Sequence, residues 1–129
     1  QGTTALTPVL RFNNDTGSNY TYQELSGNGS AAAAGTASTT YIFQSYMPQS
    51  SSTNMFGACV THIFDINSGK YKSALSQFAS DWDGGGYVGL VAGTWKSQAS
   101  ITQVDLTASP AFSAGSTFSL FGILPRMVA

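Results

Sequence analysis

Charge is the scarcest commodity in this 129-residue chain: five basic and six acidic groups make up 9% of it, against about 25% in an ordinary soluble domain. Phosphate recognition needs clustered lysine and arginine, so no nucleic-acid partner is expected. Cysteine occurs once, as Cys59. That excludes an intrachain disulfide framework and any zinc site built on cysteine pairs, and leaves a buried free thiol as the expectation. The single histidine, His62, excludes sites that need two or three imidazoles. Long apolar runs are missing as well, and the longest is far too short to span a bilayer, so no membrane insertion is expected. Charge runs are also absent, while eight Phe, six Tyr and two Trp argue against disorder.

What fills the space left by charge is hydroxyl and glycine. The chain carries 18 Ser, 14 Thr and 14 Gly, with 42% hydrophobic residues. Helix surfaces are built from Ala, Leu, Glu, Lys, Gln and Arg, whereas Thr, Tyr, Phe, Val and Ile suit a half-buried pleated surface. Short runs of the second kind alternate with turn clusters at even spacing. Strands are predicted at Thr7–Phe12, Tyr20–Leu25, Thr39–Tyr46, Phe56–Ile66, Tyr71–Phe78, Tyr87–Trp95, Ser100–Leu106 and Thr117–Ile123. Between them lie NNDTGSN, SGNGSAAAAGTAS, PQSSSTN, NSGK, DWDGGG and SPAFSAGS, whose Gly, Asn, Asp, Ser and Pro fit turns. The alanines Ala31–Ala34, flanked by Gly, Ser and Thr, read as part of a flexible loop. The fold expected is all-β: an antiparallel β-sandwich, one domain over 1–129.

The longest run is Phe56–Ile66. Phe56, Ala58, Val60, His62, Phe64 and Ile66 share one face, and Gly57, Cys59, Thr61, Ile63 and Asp65 share the other. One face strongly apolar and one mixed is the pattern of a central sandwich strand. Cys59 and His62 are an odd number of residues apart, so they point to opposite faces and cannot form a nucleophile–base pair. His62 reads as a structural histidine with a satisfied hydrogen bond.

Six carboxylates are available: Asp15, Glu24, Asp65, Asp81, Asp83 and Asp105. A glycosidase needs two of them facing one cleft, and only Asp81 and Asp83 are close in sequence. DWDGGG reads more simply as a turn holding a tryptophan. It also has a faint likeness to a calcium loop, but the twelfth position from Asp81 is Ala92, not the bidentate Glu of an EF-hand. Asp81 and Asp83 are thus weak metal candidates. No metal, other cofactor or catalytic residue is expected, and no ligand-binding residue is singled out. No G-x-S-x-G elbow occurs, and three N-x-[ST] matches at Asn14, Asn19 and Asn28 are what chance supplies in such a composition.

FNNDTGSNYTYQELSGNGS resembles the "FNGDTGSNY…LxGxGS" segment of tailed-bacteriophage virion proteins. FGACVTHIFDINSGKYKSALSQFASDWDGGGYVGLVAGTWKSQASITQVDL is similar to the same family's middle, where a KYK strand pair precedes a glycine-rich turn and then an "SGxW" segment. FSAGSTFSLFGI resembles the closing "GStFxLYGI" strand, with Phe121 in place of the usual Tyr. The likeness runs in order from Phe12 to Ile123. It departs at Phe64-Asp65-Ile66, where an acidic–aromatic pair is commoner. The resemblance implies a virion surface structural protein with a jelly-roll-like sandwich. Its form would be a capsid-decorating subunit or the C-terminal knob of a head or tail fibre. It also implies a homotrimer, with other virion proteins as partners and no catalytic residues to carry over. Family members usually have further strands before the FNNDTG segment, so together with a first residue of Gln1 the chain is expected to be the C-terminal part of a longer one. The alternative function is a lectin-like module of a tail fibre that binds a host surface glycan.

Overall fold

The structure, a computed structural model, describes residues 5–48 and 54–124. Eight strands and no helix occur among them: β1 (Thr7–Phe12), β2 (Tyr20–Gly27), β3 (Ala32–Thr39), β4 (Ile42–Phe43), β5 (Gly57–Phe64), β6 (Lys72–Asp81), β7 (Gly86–Trp95) and β8 (Val104–Ser109). They form a three-stranded sheet, β4-β1-β8, and a five-stranded sheet, β3-β2-β7-β6-β5. Every strand pairing is antiparallel. The expected all-β sandwich is the fold observed. First and last strands nest in the pairs β1–β8 and β2–β7, the kind of pairing a jelly-roll path would continue inward. The chain departs from that path where β3 pairs back on β2 and β5 on β6.

Alternation sets the core. In β1, Pro8, Leu10 and Phe12 are buried while Thr7, Val9 and Arg11 are not, as a strand with one covered face requires. β6 alternates over its whole length, with Lys72, Ala74, Ser76, Phe78 and Ser80 turned inward. The apolar centre between the sheets gathers Leu10, Phe12, Tyr20, Ile42, Phe43, Ala74, Phe78, Val91 and Trp95. Trp95 joins the layers: its ring centroid lies 5.6 Å from that of Phe12 and 6.3 Å from that of Tyr20, the latter pair stacked. Phe43 and Phe78 meet edge to face at 6.1 Å.

Two polar groups inside are satisfied locally, the Gln44 cluster and Lys72, whereas the Ser45 hydroxyl has no partner among the described residues. The Thr61 and Ser76 hydroxyls both donate to Gln44 Oε1, at 2.5 and 2.8 Å. Lys72, with no exposed surface, donates from Nζ to the carbonyls of Ser68 and Lys70 at 2.6 Å. A buried polar group without such partners would cost about 1–3 kcal/mol.

The structure corrects the sequence expectations at four places. Ala31–Ala34 is not a flexible loop: β3 runs through it and pairs with β2 residue for residue from Tyr20↔Thr39 to Gly27↔Ala32. The β2–β3 turn is set by Asn28 Oδ1, which accepts from the N–H groups of Ser30 and Ala31, and by Gly29 at φ +84°. A template strand and a tight turn thus override a poor strand composition. Of Thr39–Tyr46, only Ile42 and Phe43 form β4, Thr39 being the end of β3. The Gln44 N–H still donates to Pro8 O, but regular pairing lapses until the isolated bridge Leu6↔Met47, and the Gln44 side chain enters the polar cluster. Ser100–Leu106 becomes strand only from Val104. Residues 100–103 are instead tied to Asn13, whose Oδ1 accepts from the N–H groups of Thr102 and Gln103 and whose Nδ2 donates to Ser100 O. Thr117–Ile123 forms no strand, and none of its backbone is paired among the described residues. The PQSSSTN turn lies largely outside the described residues.

Candidate functional site

The five-stranded sheet covers its core with one face only. On the other face the register lines up apolar rows. Leu25 stands opposite Leu90, Leu90 opposite Gln77 and Gln77 opposite Val60. To one side run Val88, Ala79 and Ala58, and to the other Ala92, Leu75 and His62. Leu25, Val60, Phe64, Leu75, Val88 and Leu90 are between 37 and 62% exposed. The face bears no charged side chain from Ala58 to Phe64 on β5, Val88 to Thr94 on β7 or Thr21 to Gly27 on β2. A shallow trough of about 640 Å³ runs along it, between Leu25, Val60, Val88 and Leu90. The uncovered face of an antiparallel sheet is ordinarily polar, and contiguous apolar patches beyond a few hundred Å² mark interaction sites.

β5 is where expectation and structure part most clearly. It is the outermost strand of the large sheet, not a central one. Its apolar set, Ala58, Val60, His62 and Phe64, points to solvent, and its mixed set, Cys59, Thr61 and Ile63, points inward. The inner face accepts Thr61 because Gln44 and Ser76 await its hydroxyl there. His62 is correspondingly not a core histidine. It is exposed and stacks on Phe64 at 6.3 Å, with no hydrogen bond among the described residues. Cys59 does face away from it. The thiol is half-buried, and that burial pushes its pKa up and keeps it protonated, the opposite of an activated nucleophile.

Asp81 and Asp83 serve their own turn. Asp81 Oδ1 accepts the Asp83 N–H at 3.0 Å, the Trp82 N–H donates to Gly85 O, and Asp83 and Gly84 take left-handed backbone angles. No cluster of three or more His, Cys, Asp or Glu side chains able to hold a metal occurs among the described residues. Glu24 Oε2 accepts the Tyr46 hydroxyl at 3.4 Å. Burial, then the charge of Glu24, raises the Tyr46 pKa to about 12. Asp105 accepts from Gln103 Nε2 and the Asn14 N–H.

Asp15 is the carboxylate with the most consequence for the fold. Its Oδ2 accepts the Trp95 indole N–H at 2.7 Å, and it also accepts from Asn19 Nδ2 and the Gly17 N–H. These bonds, the indole first, hold its pKa below the ordinary carboxylate value. A depressed folded pKa contributes stability that is present above the unfolded pKa of about 3.9 and is lost as pH falls through the folded value. Asp15→Asn is therefore expected to be less stable than the wild type at pH 7. The difference should shrink as the pH is taken below about 4. Urea midpoints at pH 7, 5 and 3 check this; a difference that grows toward acid overturns it.

The asparagines of NNDTGSN are spent on internal bonds: Asn13 to residues 100–103, Asn14 to Gln103 and Asn19 to Asp15. This loop is a clamp. At the far end of the sheet, the β2–β3 and β6–β7 turns flank a depression of about 270 Å³ lined by Asn28, Asp81, Gly86 and Tyr87. Tyr87 there is half-buried, packed against Tyr46 and Trp82. No protein-family model, curated protein or solved structure matches the chain.

The outward sheet face was missed because each of its strands, taken alone, has an ordinary alternation. The available signal was that the mixed face of Phe56–Ile66 carries Thr61, a hydroxyl that Gln44 and Ser76 can receive in the interior, which leaves its apolar face free to point outward.

Proposed function

We propose that this chain is a virion surface structural protein of a tailed bacteriophage. In this reading it is a capsid-decorating subunit or the C-terminal knob of a fibre, built to assemble and hold on rather than to turn over a substrate. The observation that carries the assembly part is the outward face of the five-stranded sheet, whose apolar rows carry no charge and whose one carboxylate, Asp81, stands at the end of β6. The ordered likeness of FNNDTGSNY, the KYK–SGxW-like middle and GSTFSLFGI to virion proteins supports the phage part. The chain acts as a homotrimer, seated on other virion proteins, on the outer surface of the particle. Small repeated subunits gain stability by burying such faces against copies of themselves and reach firm attachment through many weak contacts repeated by symmetry.

Attachment made of apolar and hydroxyl contacts is weakly screened by salt. Particles washed from 0.1 to 2 M NaCl are expected to retain the protein. Release at moderate salt overturns apolar attachment. Replacing His62, Asp81 and Asp83 together by Ala tests the non-enzymatic reading: loss of a measured hydrolytic activity in that variant, shown folded by circular dichroism, overturns it.

A second reading, a host-glycan module, has one observation in its favour: the depression beside Tyr87, with Asn28 and Asp81 at its rim. Glycan-array binding that Tyr87→Ala abolishes in the folded chain would select it.

A further inference from the structure

Among the described residues, two apolar surfaces lack a partner, and they fit each other. One is the outward face of the large sheet. The other is the segment that follows β8. From Thr117 to Leu124 it lies outside any strand and makes no hydrogen bond to the rest of the described residues. Yet it carries Phe118, Leu120, Phe121, Ile123 and Leu124, between 60 and 92% exposed. Burying a side chain of this kind gains about 1.5–3 kcal/mol, so five of them in water is a large uncovered demand.

We propose that Phe118–Leu124 of one copy docks across the outward face of the five-stranded sheet of a second copy. This rests on the reading of that face as an assembly surface and names what covers it.

Dimensions agree. Eight extended residues from Thr117 to Leu124 reach about 26 Å. Five strands at about 4.8 Å spacing make a face about 24 Å wide, and its three or four apolar rows extend about 20 Å along the strands. Charge agrees as well. The chain holds no Asp, Glu, Lys or Arg between Asp105 and Arg126, and the apolar rows hold none either. Neither surface therefore has to desolvate an ion. Connection decides between own copy and neighbour. The arm leaves from Ser109, at the end of β8 in the small sheet, whereas the trough lies on the far side of the large sheet. One extended arm about 26 Å long and about 10 Å wide covers roughly 260 Å² of sheet face. A copy that gives one arm and receives one therefore buries roughly 520 Å², a lighter contact than the roughly 800 Å² per partner of a standard interface, and one that gains from repetition by symmetry. Such an exchange closes as a reciprocal pair or as a ring.

The test uses the whole chain and two variants altered only at exposed positions. The arm variant carries Phe118→Ser, Leu120→Ser and Ile123→Ser. The face variant carries Val60→Lys and Leu90→Lys. Circular dichroism should show both folded. By light scattering and native mass spectrometry at about 10 μM, the wild type is expected to assemble and each variant to fall to the 13.5 kDa monomer. Mixed in equal amounts, the two variants are expected to form a one-to-one heterodimer, because one keeps the face and the other keeps the arm. An arm variant that assembles as the wild type does overturns the arm exchange and shows the faces packing on each other, while the assembly reading stands. Two monomeric variants that fail to complement also overturn it. A wild-type chain that stays monomeric and does not bind particles sinks both readings together.

Discussion

Trp95→Ala is expected to remove about 3–5 kcal/mol of stability, the range for truncating a large buried aromatic. Trp95 is 3% exposed and closes β7, paired with Tyr20 on one side and Lys72 on the other. Its ring packs on Phe12 and Tyr20, so the loss opens a cavity where the two sheets meet. Its indole N–H also ends on Asp15, which organises the β1–β2 loop through Gly17 and Asn19. That loop is further held by the Tyr20 hydroxyl, which donates to the Asp15 carbonyl and accepts the Phe12 N–H. One truncation therefore removes packing and leaves a carboxylate short of a donor. Domains of this size have about 5–15 kcal/mol in total, so the variant should be mostly unfolded at mild denaturant concentrations. Trp95→Phe keeps most of the packing and loses the hydrogen bond, and should cost about 1–2 kcal/mol. Urea unfolding measures both; a Trp95→Ala cost below about 1 kcal/mol would show that the ring does not join the sheets.

Gly93→Val should be the other severe substitution, at about 3 kcal/mol or more, the upper end of the overpacking range. Gly93 faces inward two residues before the end of β7, and a Cβ there would run into the Ile42 side chain of β4. The glycine is needed for close approach of the two sheets and not for an unusual backbone angle, since its φ is not in the left-handed region. The cost should therefore be relieved by making room. Gly93→Val combined with Ile42→Ala is expected to be less destabilised than the two single costs added, with a coupling of about 1 kcal/mol or more. Strict additivity would place the penalty in the backbone and contradict the close approach.

The strands with partners on both sides came through from the sequence, and so did β5 at the sheet edge, found at Gly57–Phe64 within the expected Phe56–Ile66. β1 matches its predicted span to the residue, and β2, β6 and β7 differ from theirs by one to three residues at an end. In these, alternation is enforced by burial on one face, so the composition records it. β3 left no such record because neither of its faces is covered over Ala32, Ala33, Ala34 and Gly35, which are all exposed. Nothing packs on those residues to select Val or Ile. Its strand state comes from the eight-residue ladder offered by β2.

The candidate site was half legible. The period-two spacing by itself determined that Val60, His62 and Phe64 share a face and that Cys59 looks the other way, because successive strand residues must alternate. The scarcity of charge by itself limited Lys and Arg to five, which is why no clustered phosphate-binding patch is expected. Which face of β5 is covered was decided only in three dimensions, by where the small sheet sits and by the polar cluster of Gln44 and Ser76 that receives Thr61. Likewise Asp15 and Trp95 are 80 residues apart, and no local pattern could join them. The segment Thr117–Ile123 makes the same point from the other side. Its apolar residues are as strand-like as any, but a strand exists only where a neighbour supplies a hydrogen-bonding edge. Local spacing dictates which side chains travel together; the partner that covers them is a property of the assembled sheets.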